Sequence, residues 1–407
     1  MYTRKKGTNL VDVQEMNRSL LIKLLRSNNV WTRAKLAKAT GLKRATISNI
    51  INDFLDWGLV IETGILYGEK NRRSIGISFN SDKYRVIGIR LSRNFFSIGF
   101  FDLAGVEYSY KLEKIDALAG PDIVLKKIIK EVANLIEKNR QQNKVIGIGI
   151  AIPGPYFRNE GRIALMTEFP GWDKISIKNK LKKAFNIPVY FEHDANAAAI
   201  AEWWYGTHSR ESGTLIFIFV TEGVGSGIVI DGNLYRGNLG IAGEIGHATV
   251  KADGPKCECG NNGCLEYYCS TIALLRKVKN ELINYPDSIL NKDYSLNSIF
   301  SAFDSGDELA NKVIKEFSKF LGYGIVNVVN SFNPDTIIIG GEIIQGGSKL
   351  LEILKNAVKE HLLPEIYNNT ILEFSSLESD EVVLGASLIA INKVLQNPSL
   401  VKECLNG

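Results

Sequence analysis

Apolar and polar positions follow two rhythms along this chain. The first 60 residues carry only the helical one. In VQEMNRSLLIKLLRSN (13–28), Met16, Leu20, Leu21, Leu24 and Leu25 recur at the three- and four-residue spacing of one helix face. Thr32 opens a second helical stretch as its N-cap, and Gly41 stops it. A third runs from Lys43 to Gly58, with Ile47, Ile50, Ile51 and Phe54 on one face and Arg44, Ala45, Ser48, Asn49 and Asn52 on the other. Helix, short helix, glycine turn and a helix with a small polar outer face is the helix-turn-helix pattern. Two β-rich runs then flank YGEKNRRS (67–74), which predicts a β-wing.

From Tyr84 strand and helix rhythms alternate. YRVIGIRLS and FFSIGFFD read as a hairpin, and GPDIVLKKIIKEVANLIEKN as a long amphipathic helix. KVIGIGIAIP is a buried strand, and IPVYFEHD is a strand running into the helix ANAAAIAEWWYG. A second set begins at TLIFIFVTEGVGSGIVIDGNLYRG and continues through ELANKVIKEFSKFLGYGIVNVVNSF to the strand DTIIIGG. This alternation predicts α/β layers. The matching order of the two sets predicts two related lobes, with a small ligand in the cleft between them.

Charge sharpens the division. Residues 1–80 hold 14 Lys and Arg against six Asp and Glu, a net +8, and the rest hold 35 against 38, a net −3, together the +5 of the whole. A basic head on a slightly acidic body points to DNA. Lys43, Arg44 and Ala45 would enter a major groove with Ser48 and Asn49, two side chains that hydrogen-bond base edges. Arg72 and Arg73 would follow phosphate or enter a narrow minor groove. The plainer alternative is a three-helix packing module with solvated charges. At 407 residues the chain exceeds one typical core. No apolar run nears the ~18 residues of a membrane span, and no signal peptide opens the chain, so cytoplasm is the expected compartment and no membrane is expected.

Four of the five cysteines fall in HATVKADGPKCECGNNGCLEYYC (247–269). Reducing conditions disfavour disulfides and favour metal. His247, Cys257, Cys259 and Cys264 form H-x9-C-x-C-x4-C, a donor set suited to tetrahedral zinc, with Gly254, Gly260 and Gly263 to fold the loop. Cys-x-Cys is tighter than the usual spacing, and free buried thiol pairs are the alternative. Cys269 and Cys404 read as structural or incidental.

FEHDANAAAIAEWWYG, EGVGSGIVIDGNLYRG, GIAGEIGHATV and CECGNNGCLE, in this order, resemble the ROK family of repressors, open reading frames and sugar kinases, over about residues 84–395. The head is similar to that of its repressor branch, which answers to xylose, glucose or N-acetylglucosamine. The resemblance implies two ribonuclease-H-like lobes, as in actin and the hexokinases, behind a winged helix-turn-helix. The corresponding boundaries are 1–80 for the head, 81–195 for a first lobe completed by a helix at 384–398, and 196–383 for a second lobe with the zinc site and an oligomerisation surface. It strengthens the zinc assignment and implies a sugar site. Asp194 matches the residue that deprotonates the sugar in ROK kinases. Glu244, His247 and Glu266 are implied sugar contacts beside the metal, and Gly154 lies in a turn near the sugar. His193 and Glu168 stand where the family usually has Asn, which changes the pocket.

The phosphate loops depart from the kinase pattern. Arg90, Ser92 and Arg93 replace an Asp and two glycines, Glu222 replaces a phosphate-facing Thr, and Glu342 replaces a glycine. A carboxylate there repels phosphate. The expectation is a non-enzymatic repressor, a homodimer or homotetramer, released from operator DNA by a monosaccharide such as xylose or glucose. The alternatives are a ROK sugar kinase with a DNA-binding appendage, and a sugar-binding protein whose head contacts another protein.

Overall fold

A computed structural model describes residues 9–26, 30–67, 73–116, 119–139, 143–154, 156–157, 161–163, 171–208 and 213–402. Three helices open it: α1 (Leu10–Leu25), α2 (Arg33–Thr40) and α3 (Arg44–Trp57). Asn9 and Asp12 close a reciprocal capping box at the start of α1, with bonds of 3.0 and 2.9 Å. Thr32 caps α2, and Gly41 ends it at φ +71°. The core face of α3 is Ile47, Ile50, Ile51, Phe54 and Trp57. In α1 the sequence pattern picked part of the wrong face: Leu21, Ile22 and Leu25 are buried, whereas Met16 is 63% and Leu20 42% exposed.

Strands β1 (Val60–Tyr67) and β2 (Arg73–Phe79) follow as an antiparallel pair, bulged between Glu62 and Ile65. Trp31 adds two backbone bonds to Ile77, of 2.9 and 2.7 Å. The tip between the strands, with Arg72, lies outside the described residues.

The first sheet contains β3 (Tyr84–Leu91), β4 (Phe95–Asp102), β5 (Glu107–Lys114), β6 (Lys144–Ile152) and β9 (Val189–His193), in the order β5-β4-β3-β6-β9. Helix α4 (Pro121–Asn139), the short pair β7 (Tyr156–Phe157) and β8 (Arg162–Ile163), and α5 (Ile177–Ala184) lie between these strands in sequence. Helix α6 (Asp194–Tyr205) follows β9. The second sheet contains β10 (Thr214–Val220), β11 (Val224–Ile230), β12 (Asn233–Leu234), β13 (Thr336–Gly340) and β14 (Ile371–Phe374), in the order β12-β11-β10-β13-β14. Each sheet is thus a three-strand meander whose first strand pairs with the fourth. The near-continuous apolar runs of β6, β10 and β13 suit strands covered on both faces. Helices α7 (Leu265–Cys269), α8 (Thr271–Glu281), α9 (Leu296–Asp304), α10 (Glu308–Phe332), α11 (Gly347–Lys359) and α12 (Pro364–Asn368) belong to the second set, and many of their apolar residues share one core with β10, β11 and β13.

The last helix, α13 (Glu381–Gln396), approaches β6 so closely that a Cβ on Gly149 would stand 1.7 Å from the Ala386 carbonyl oxygen. Only glycine fits there.

By compactness the chain forms two units: 1–150 with 177–191 and 386–407, and 151–176 with 192–385. The division departs from the sequence-based boundaries in two places. Residues 1–80 share a unit with the first sheet, and the Tyr84 hydroxyl of β3 donates across the seam to the Trp57 carbonyl of α3. Residues 151–176 join the second unit, and that unit begins at Glu192 because α6 packs on β10 and β11. Among the described residues, no helix is long and apolar enough to cross a membrane.

Candidate functional site

His193 ends β9 and Asp194 starts α6. An acid at a helix N-terminus meets the positive end of the dipole. Asp194 Oδ1 accepts the Ala195 N–H at 2.7 Å and lies 3.3 Å from His193 Nε2. The run of alanines behind it is buried. Two glycines of β11 let the strand lie against that helix start: a Cβ on Gly225 would touch the His193 ring at 3.4 Å, and one on Gly227 would collide with the Ala195 carbonyl at 2.3 Å. Close packing, as well as turn shape, accounts for these glycines.

The turn before β11 rests on α7. The Val224 N–H donates to Glu266 Oε2 at 2.9 Å, and Gly223 leaves the room for that carboxylate. Glu244 is brought in by Gly243, whose φ of +98° and closeness to the Ser226 carbonyl exclude a side chain. Ser226 holds the Gly243 carbonyl with both its N–H and its hydroxyl, each at 2.9 Å. Burial pushes the Glu244 carboxyl above the ordinary range, His193 and His247 pull it down, and Asp194 and Glu266 push it up further. Five residues picked from the sequence, His193, Asp194, Glu244, His247 and Glu266, therefore share one electrostatic neighbourhood. Gly154 takes φ +72° just after β6, and Glu168 lies outside the described residues.

The ligand atoms of His247, Cys257, Cys259 and Cys264 all lie within 4.8 Å of one another, close enough to hold a metal ion. Cys259 and Cys264 sulfurs are 3.7 Å apart, and Cys257 is 3.8 Å from His247 Nδ1. The loop is cinched by backbone bonds such as Cys257 to the Asn261 carbonyl at 2.7 Å, and Asn261 donates to the His247 carbonyl at 3.0 Å. Burial pushes the Cys264 thiol up to about 12 and raises Cys257 too; burial also opposes ionisation of Cys259, but bonds from the Asn261 N–H and its two thiol neighbours lower it. A cation among them reverses the preference for neutral thiols. Cys269 is buried and donates to the Phe317 carbonyl at 3.5 Å, a packing role. Cys404 lies outside the described residues.

In the head, Lys43, Arg44, Ala45, Asn49 and Arg73 are exposed and Ser48 is half-buried. The outer face of α3 is therefore open, as its polar pattern requires. In the loops that would carry phosphate, the Arg90 guanidinium stacks 5.0 Å from the Phe95 ring, and Glu342 accepts a 3.1 Å bond from the Thr271 hydroxyl.

Sequence reasoning missed one pair. Glu192 is 2% exposed and takes two bonds from Arg236, of 2.8 and 2.7 Å. The available signal was a carboxylate inside a strand of buried residues.

Residues 86–393 match the ROK family model. The chain is 32% identical over 396 residues to the xylose repressor of Caldicellulosiruptor bescii, covering 95% of this chain and 98% of that one. Among solved structures it is similar to a ROK family transcriptional regulator, a homologue of the Escherichia coli MLC protein, with 28% identity and a TM-score of 0.85 over 97% of this chain and all of that one. The ROK hexokinase of Thermus thermophilus is 27% identical with a TM-score of 0.64, but 99% of it covers only 76% of this chain. With the family's four motifs in order, the repeated sheet and a matching family model over most of its length, this chain belongs to the ROK family.

Proposed function

We propose that this protein is a sugar-responsive transcriptional repressor and not a kinase. Its head, residues 1–80, is a winged helix-turn-helix that binds operator DNA through Lys43, Arg44, Ala45, Ser48, Asn49, Arg72 and Arg73. Its second unit binds a monosaccharide through Asp194, Glu244 and Glu266, with His193, His247, Gly154 and Glu168 around them. The observation that carries the reading is the gathering of two carboxylates, Asp194 and Glu266, and two imidazoles, His193 and His247, around the half-buried Glu244. Carboxylates accept hydrogen bonds from vicinal hydroxyls, and a desolvated site makes each bond count. Xylose is the first candidate inducer, since the similar repressors include one for xylose, and glucose is the second.

His247, Cys257, Cys259 and Cys264 would hold a structural zinc ion. The donors fit: a tetrahedral zinc with Zn–S bonds of about 2.3 Å spaces its sulfurs about 3.8 Å apart, and the Cys259–Cys264 separation is 3.7 Å. Bound zinc supplies a fixed cross-link that holds the loop and keeps the thiolates charged. With Nδ1 turned to the thiols, His247 leaves Nε2 for a sugar hydroxyl, and the same cross-link sets Glu266, two residues past Cys264.

Arg90 stacked on Phe95, together with the carboxylates Glu222 and Glu342, supports absence of phosphoryl transfer: the kinase site would need open glycine loops around a polyanion. A homodimer or homotetramer, working in the cytoplasm, would present two heads to two half-sites. The test is titration of a labelled operator with the purified protein, repeated with D-xylose, D-glucose and other monosaccharides. Release by one sugar at micromolar to millimolar concentration is expected. Specific DNA binding that no sugar alters, or ADP formation from ATP with the bound sugar, would overturn the reading.

A further inference from the structure

Arg236 is the only Lys or Arg between Arg210 and Lys251. It stands just after β12, where the chain leaves the sheet for the loop that ends at Glu244. Its guanidinium crosses to Glu192, 44 residues away in sequence. Nε at 2.8 Å and Nη2 at 2.7 Å both donate to Glu192 Oε2. The other oxygen, Oε1, accepts from Asn196 Nδ2 at 3.1 Å and from the His193 N–H at 3.3 Å. Glu192 is thus a buried carboxylate with both oxygens engaged, as a buried charge requires.

The pair joins two of the three segments that carry the carboxylate cluster. Glu192 immediately precedes His193 and Asp194, and Arg236 begins the segment that delivers Glu244 and His247. Within that segment the Ala242 N–H donates to the Arg236 carbonyl at 3.1 Å, and Ser226 holds the Gly243 carbonyl. Its middle is exposed, with Leu239 at 60%, so that stretch adds little to the core. A buried ion pair is weak as a source of stability alone, because desolvation offsets its attraction. Its stronger use is to select one arrangement of the groups attached to it.

We propose that Glu192 and Arg236 are positioning residues that set Glu244 against Asp194 and thereby set the ligand affinity of the site. Neither touches the ligand. The inference rests on the reading of this cluster as a monosaccharide site, and the two are separable by experiment.

The full-length protein is compared with Arg236→Gln and Arg236→Lys in three measurements: affinity for D-xylose or D-glucose, metal content, and amide hydrogen exchange. For Arg236→Gln, sugar affinity is expected to fall at least about tenfold, with metal retained, exchange faster across residues 236–246, and exchange in α10 unchanged. Arg236→Lys keeps the charge but loses the planar fork, and is expected to fall between the two. If Arg236→Gln fails to fold, Arg236→Lys alone decides. Unchanged sugar affinity with unchanged loop exchange overturns the proposal. So does a loss of protection that spreads equally into α10, which would make the pair a general support of the fold. If the wild type binds no monosaccharide, the sugar reading fails, while the loop exchange still reports whether the pair positions the segment.

Discussion

The head and the second unit each bring the proposed functional side chains together, by opposite means. In α3 the polar residues stand in solvent on a helix whose other face supplies the core, so Arg44 and Asn49 owe their positions to Ile47, Ile51 and Phe54 behind them. Around Glu244 the proposed sugar-binding side chains are themselves half-buried and bonded to backbone: Glu266 to Val224, Asp194 to Ala195. Glycines with no room for a Cβ fix the approach. The head is a surface that can be edited residue by residue. The second site is a packed arrangement in which a change to a proposed contact also disturbs local packing.

The largest separation between the two regions is expected from the metal. Cys264→Ser should abolish bound zinc and lower the melting temperature of the second unit sharply, since structural zinc contributes on the order of 10 kcal/mol in small metal-folded domains. Metal analysis and calorimetry check this; full zinc content in the variant would remove the metal assignment.

Asp194→Ala comes next. It leaves a sugar hydroxyl unpaired in a desolvated site, at about 1–3 kcal/mol, so release of operator should need roughly tenfold or more extra sugar. Operator affinity without sugar should stay at the wild-type value. Release at the wild-type sugar concentration would place the sugar elsewhere.

Arg44→Ala should do the reverse and cost little stability, because the side chain is exposed. Operator binding should weaken at every sugar concentration, with a salt slope shallower by about 1 if the contact is to phosphate. An unchanged operator affinity would remove Arg44 from the interface.

The smallest effect concerns Glu202, at the far end of α6 from Asp194. Burial raises its carboxyl above the ordinary range, against a 2.8 Å bond from the Ser375 hydroxyl. A raised folded-state value means the group favours folding most at acid pH, and that contribution is lost as pH rises through the folded value. Glu202→Gln should therefore match or exceed wild-type stability at neutral pH, with the advantage vanishing below the ordinary carboxylate range. Denaturant titration at acid and neutral pH decides; a variant less stable only at neutral pH would show that the charge is wanted.

The legible parts of the fold were those with strong periodicity or punctuation. Thr32 and Gly41 bound α2 as a cap and a left-handed stop must. The face of α3 was readable because isoleucines at three- and four-residue spacing leave little choice. Met16 and Leu20 misled because α1 carries apolar residues on more than one face, and periodicity cannot tell which of them meets a partner. The cysteine spacing was legible for the same reason as a cap: its donors are local.

The sequence by itself determined the two alternating sets of strands and helices, the basic head, the donor set of the candidate metal loop and the family, because these depend on residue type and spacing within short stretches. Only the tertiary structure decided that Asp194, Glu244 and Glu266, from three separate segments, share one electrostatic neighbourhood. Only it joined Arg236 to Glu192 and brought Gly227 against Ala195. These contacts link residues that are tens of positions apart. A buried carboxylate and a lone arginine have no periodicity to reveal them; burial forces each to find a partner, and the fold selects which.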